Sequence, residues 1–206
     1  INNSFFIITI GQIKSYSKRK DLFNYLKINN ANIISVESLN SYVSKDSIIG
    51  KGTIIMHGAI VQADVKIGEN CIINDKSLIE HDVSIGDNCH ISTGAIVNGN
   101  VKIGNGSFIG ANSILTTNIK LGNHTILNRG NHVGHDSITG DYFSMMPCAI
   151  IGGNVNIGHN VYLGSGSNVK EKINICSDAT IGMNGAVVKD ITTPGTYVGI
   201  PTKKLK

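Results

Sequence analysis

The chain has no Trp in its 206 residues, and aromatic residues make up only 5% of it. That scarcity suits an interior too narrow for large rings. There is no CxxC spacing among the four Cys, which removes the commonest zinc-knuckle and redox signatures. No apolar run reaches transmembrane length, and no signal peptide opens the chain, so neither a membrane partner nor export is expected. Charge is not concentrated either. The net +4 is spread thinly, and Lys203, Lys204 and Lys206 read as a solvated end, not a nucleic-acid patch. The first residue is Ile, which points to further residues upstream.

What the chain does have is a period of six. From Val43 to Val187, stepping by six meets Val, Ile or Leu at 23 of 25 positions, slipping at Thr139 and Met145. The next residue is Gly at 12 of them, and the residue four on is small at 20. Neither a helix nor a simple strand repeats every six residues. Three such hexads make one triangular coil of a β-helix. One aliphatic residue per hexad points into the prism, the small residue fits the corner, and Gly, Asn or Asp makes the turn. The 25 hexads give about eight coils, a stack of roughly 40 Å at ~4.8 Å per coil. No single coil can bury its face alone, so the stack stands by neighbour pairing. The unbroken register leaves no room for a long inserted loop.

Residues 1 to 42 follow another pattern. Phe5 to Ile10 reads as a buried strand, Ser17 as the cap of a helix running to about Lys27 with Leu22, Phe23 and Leu26 on one face, and Asn32 to Val36 as a second strand. This is a short, incomplete α/β fragment. The expected organisation is therefore 1–42 as a partial α/β domain, 43–192 as the β-helix, and 193–206 as a C-terminal tail folding back over the last coils. Cys71 and Cys89, 18 residues apart, should stack in adjacent coils as a reduced pair filling small inward positions.

A longer repeat overlies the hexads. His81-Asp82 returns as His135-Asp136, Gly86-Asp87 as Gly140-Asp141, and Gly99-Asn100-Val101 as Gly153-Asn154-Val155, each 54 residues on. That is three whole coils, so both His-Asp pairs share one face about 14 Å apart. Both His take the third place of their hexad, which points outward. A carboxylate beside an imidazole holds its tautomer and raises its basicity, as a general base requires. His90 and His132 take the last place, near a corner where neighbouring prisms would pack. Gly104-Asn105-Gly106 and Gly164-Ser165-Gly166 lack the strand-to-helix context of a phosphate loop and read as turns. Three converging metal ligands are not evident in one chain.

Several stretches carry a resemblance. Ile79-Glu80-His81-Asp82, Ile85-Gly86-Asp87, His90-Ile91-Ser92, Gly99 to Gly104 and Val198-Gly199-Ile200-Pro201 together resemble bacterial sugar acetyltransferases of the left-handed β-helix class. The nearest are the nucleotide-amino-sugar N-acetyltransferases and the sialic acid O-acetyltransferases. Phe5-Phe6-Ile7 and the basic helix resemble the end of their nucleotide-sugar domain. The resemblance implies a cytoplasmic homotrimer with acetyl-coenzyme A between adjacent prisms, no metal, and a sugar or nucleotide sugar of bacterial surface glycan synthesis as acceptor. His81 would be the general base and Asp82 its partner, with His90 near the thioester and Ala111 and Arg129 on the coenzyme path. Asn131 to Asp136 also resembles the base motif of the sugar-nucleotide acyltransferases of lipid A synthesis. In that register His135 and Asp136 would be the catalytic pair and Ser165 and Gly182 would meet the coenzyme. The local match favours His81. Two other readings share the fold: a zinc lyase of the carbonic-anhydrase type, and a prism without catalysis.

Overall fold

A computed structural model describes residues 4–11 and 15–205. Its mass is a left-handed parallel β-helix built from two-residue strands joined by tight corners. One turn shows the plan. Leu78–Ile79 turns a corner into Ser84–Ile85, which turns into His90–Ile91, which turns into Ile96–Val97. Ile96–Val97 then pairs in parallel with Leu78–Ile79, 18 residues earlier. Repeating this makes three sheets, of nine, eight and eleven strands.

The inward residue of each hexad fills one continuous core. Ile55, Ile73, Ile79, Ile91, Ile109 and Leu127 are almost wholly buried. The two slips in the apolar series keep their places. Met145 is fully buried, and Thr139 takes a hydrogen bond on its hydroxyl from the Gly122 N–H at 3.3 Å. Polar corner residues are paired at most positions, Ser167 being an exception: the Ser113 hydroxyl, for example, donates to the Asn128 carbonyl in the next coil at 2.8 Å. A buried polar group satisfied in this way avoids its desolvation penalty. Cys71 and Cys89 sit buried in adjacent coils as free thiols, donating to the carbonyls of Gly86 and Gly104. Burial pushes the Cys89 thiol well above its ordinary range.

The fourth place of the hexad adopts left-handed backbone, as at Asp82 (φ 60°), Asn100 (φ 59°) and Asp136 (φ 58°). Asn and Asp tolerate that region better than other side chains. At Gly122 the constraint is crowding: a Cβ there would lie 2.4 Å from the Gly140 carbonyl carbon.

The stack is slightly longer than expected, with nine strands on one face instead of eight coils. It also starts earlier, because Val36–Glu37 already pairs with Ile54–Ile55. Pairing needs only backbone groups, so this hexad joins although Glu37 puts no apolar side chain inward and stays exposed. After Ile191, Gly195–Val198 and Lys203–Lys204 extend the eleven-strand sheet over the last coils.

The N-terminal piece is smaller than a buried strand would require. Only Phe5–Phe6 forms a strand, paired with Asn32–Ile33, and Phe5 is 74% exposed because one short partner covers neither of its faces. The helix α1 spans Ser17–Ile28 with Tyr16, not Ser17, as its N-cap. Phe23 and Leu26 are buried with Ile8 as expected, but Leu22 is half-exposed and Arg19 is buried in its stead. Arg19 donates to the backbone carbonyls of Asn70 and Asn88 at 2.7 and 2.8 Å. With the Lys27–Glu69 ion pair and the Tyr16–His124 hydrogen bond, it fastens α1 to the corner between the eight- and eleven-strand sheets. Among the described residues no helix is long and apolar enough to cross a membrane.

Candidate active site

The three corners of the prism carry different chemistry. Both His-Asp pairs lie on the corner between the nine-strand and eight-strand sheets, three turns apart in one column. Val83 and Ser137 are buried beside them, fixing the turn while the imidazoles project outward. The left-handed backbone at Asp82 and Asp136 brings each carboxylate back onto the preceding ring. His81 Nδ1 lies 2.8 Å from Asp82 Oδ2, and His135 Nδ1 lies 2.7 Å from Asp136 Oδ2. With the proton held on Nδ1, the Nε2 lone pair is left to accept one from a substrate. Both imidazoles are open to solvent, with side-chain exposures of 64% and 58%.

The next coil makes room for each ring. A Cβ on Gly99 would lie 2.9 Å from His81 Nε2, and one on Gly153 would lie 2.6 Å from His135 Nε2. The recurrence of Gly99 and Gly153 with the His-Asp pairs was visible in the sequence; that they shelve the imidazoles was not. The pairs differ in one respect. Asp136 also accepts from Asn118 Nδ2 at 3.1 Å, and the hydrogen bonds from His135 and then Asn118 hold its carboxyl below the usual range. The hydrogen bond to Asp82 raises the pKa of His81.

The residues expected to meet a coenzyme lie elsewhere. Ala111, Arg129, Ser165 and Gly182 fall on the corner between the eleven- and nine-strand sheets. Gly182 is overlain by the C-terminal strand, where its added Cβ would lie 2.8 Å from Val198 Cγ1. His90 is not at a corner. It lies on the eleven-strand face, buried, with its ring edge-on to Phe108 at 5.3 Å. The structure therefore joins His to Asp within each pair, but separates the pairs from the coenzyme candidates by the width of the nine-strand face. That face presents Tyr42, Ile60, Leu78, Ile96, Ile114 and Ile150 outward, with His132 in the same column. Among the described residues no three His, Cys, Asp or Glu converge as a metal cage.

The repeat and the fold are matched in known proteins. Residues 46–81 and 82–117 each match the family profile of the bacterial transferase hexapeptide (six repeats). They include His81, Asp82 and Gly99. Two solved structures share the fold. The UDP-N-acetylglucosamine acyltransferase of Bacteroides fragilis aligns over 82% of this chain and 73% of its own, at 19% identity and a TM-score of 0.60. The UDP-N-acetylglucosamine acyltransferase of Campylobacter jejuni aligns over 82% and 74%, at 15% identity and a TM-score of 0.57. A perosamine N-acetyltransferase variant from Caulobacter crescentus, in complex with CoA and GDP-perosamine, aligns over 98% and 70% at 20% identity and a TM-score of 0.41.

Proposed function

We propose that this protein is a cytoplasmic acetyltransferase that moves an acetyl group from acetyl-coenzyme A to an amine or hydroxyl of a sugar or nucleotide sugar. The observation that carries the reading is the His81–Asp82 pair, seated over Gly99 on a coil of the transferase repeat. His135–Asp136 is the second candidate pair. In the mechanism, His81 Nε2 takes the proton from the acceptor amine or hydroxyl as that atom attacks the thioester carbonyl. Asp82 stabilises the imidazolium that forms. The tetrahedral oxyanion is held by backbone N–H groups of the coil. On collapse the C–S bond breaks, and the departing thiolate recovers the proton from His81.

Acetyl-coenzyme A would lie along the corner of Ala111 and Arg129, with Ser165 and Gly182 in the second register. A homotrimer packed through the apolar nine-strand face brings that corner of one copy towards the His corner of another. Calorimetric titration of coenzyme A, followed by an acceptor screen with 2-amino and 4-amino nucleotide sugars and free sialic acid, tests the reading. Saturable coenzyme binding and acetylation of one acceptor class are expected. No coenzyme binding would sink it, and stoichiometric zinc by metal analysis would turn the site towards lyase chemistry.

A further inference from the structure

The eight-strand face carries three lysines that make no ion pair among the described residues. Its outward residues run Lys66, Ser84, Lys102, Lys120 on successive strands, each in direct register with the next. Adjacent strands are ~4.8 Å apart, and like charges directly opposite destabilise a sheet. Lys102 and Lys120 are such a pair. Among the described residues the ion pairs involve Lys27, His81 and His135 and none of these three exposed lysines. The two carboxylates beside them are hydrogen-bonded to other groups: Asp87 accepts the Glu69 N–H at 2.8 Å, and Asp136 holds His135 and Asn118. Lysine stems do cover apolar sheet surface, but that needs no unneutralised charge at adjoining heads.

Two grooves open along this column. One, about 510 Å³, is lined by Lys66, Ser84 and Lys102, with Asp87 at its far end. The other, about 360 Å³, is lined by Lys102, Lys120, Asn100 and Asn118, with Asp136 of the second His-Asp pair on its rim. The amide rim of the second is ordered, because Asn100 Nδ2 donates to Asn118 Oδ1 at 2.9 Å. Ser84, in the middle of the first groove, follows His81 by three residues on the same turn.

We propose that Lys66, Lys102 and Lys120 form a shelf for a phosphate-bearing ligand, and that the phosphates are those of the acetyl acceptor, a nucleotide sugar and not a free sugar. Lysine ammonium groups bind phosphate as point charges with charge-assisted hydrogen bonds. The shelf rests on the lysines alone, whereas its assignment to the acceptor rests on the acetyl-transfer reading. A ligand held across Lys102 and Lys120 lies in the groove that reaches the His-Asp corner at Asn100 and Asp136, so its sugar end meets the corner where the base acts.

The test titrates inorganic pyrophosphate, uridine diphosphate and coenzyme A by calorimetry into the native protein and the Lys66→Met/Lys102→Met/Lys120→Met variant. Lys189→Met, on the last coil, is the control. Methionine keeps the stem and removes the charge. Pyrophosphate and uridine diphosphate should bind the native protein and the control, weaken as salt is raised, and weaken at least tenfold in the triple variant. Coenzyme A affinity should be unchanged. Equal pyrophosphate affinity in native and triple variant, or none in either, overturns the shelf. A matching loss of coenzyme A affinity overturns the acceptor assignment and gives the phosphates to the donor. Pyrophosphate binding without any coenzyme A binding leaves the shelf standing and removes the acetyl-transfer reading. Should the triple variant melt early, Lys102→Met alone, common to both grooves, gives the same readout.

Discussion

At the residue scale, the issue is which imidazole works. The two pairs are built alike, on the same corner, with the same left-handed Asp and the same Gly beneath the ring. They stand three coils apart, about 14 Å, too far for one acetyl group to serve both. Asp136 divides its hydrogen bonding between His135 and Asn118, whereas the Asp82 hydrogen bond raises the pKa of His81, which favours His81 as the working base. His81→Ala should lower kcat by about 10²–10⁴-fold with little change in coenzyme affinity, whereas His135→Ala should be mild. Collapse in His135→Ala with normal turnover in His81→Ala would move the site three coils towards the C-terminus. A second measurement reads the carboxylate. The Asp82 hydrogen bond raises the His81 pKa above its ordinary ~6.5. A base must be unprotonated, so activity falls as pH drops through that raised value. Asp82→Asn removes the cause, so the acid limb of kcat/KM should shift to lower pH while the plateau falls. A limb that stays put would mean that His81 is not the titrating group.

At the element scale, the hexad was legible because one aliphatic residue per six recurs without interruption, and its physics is local. The faces and corners followed from it, as did the outward direction of His81 and His135. What the period could not convey was anything set by contact between coils or with the N-terminal piece. His90 reads as a corner residue by its place in the hexad, yet it is buried against Phe108. Arg19 reads as one more cation of a basic helix, yet it is the buried anchor of α1. Gly shows the same limit, since its two roles look identical in sequence. At Gly122 a Cβ meets backbone, which cannot yield, so Gly122→Ala should destabilise by about 1–3 kcal/mol and lower Tm by several degrees. At Gly99 a Cβ meets the exposed His81 ring, which can swing away. Gly99→Ala should therefore melt near the native temperature yet lose about tenfold or more in kcat, because the imidazole is displaced. Equal melting losses in the two variants, or full activity in Gly99→Ala, would refute the distinction.

At the scale of the whole molecule, one chain holds the parts of the proposed site without bringing them together. The His-Asp corner and the corner of Ala111 and Arg129 flank opposite edges of the nine-strand face. That face turns Ile60, Leu78, Ile96 and Ile114 outward, and a monomer gains nothing from such a column exposed to water. The column is also straight, since each residue sits in register above the last, so it offers one flat ridge to another copy. Packing copies through it would hide the apolar residues and set the base of one chain beside the coenzyme corner of its neighbour. Placing charge in the middle of the ridge separates these effects from folding, because an outward side chain supports no core. Ile96→Glu/Ile114→Glu should keep the β-sheet circular dichroism spectrum of the native protein. By light scattering it should have the mass of one chain, and the native protein that of three. Coenzyme A affinity and acetyl transfer should then be lost together, although every residue of the site is still present. A monomeric variant that retains coenzyme affinity and turnover would show that one chain completes the site by itself, and the separation of its two corners would then have to be closed within the prism.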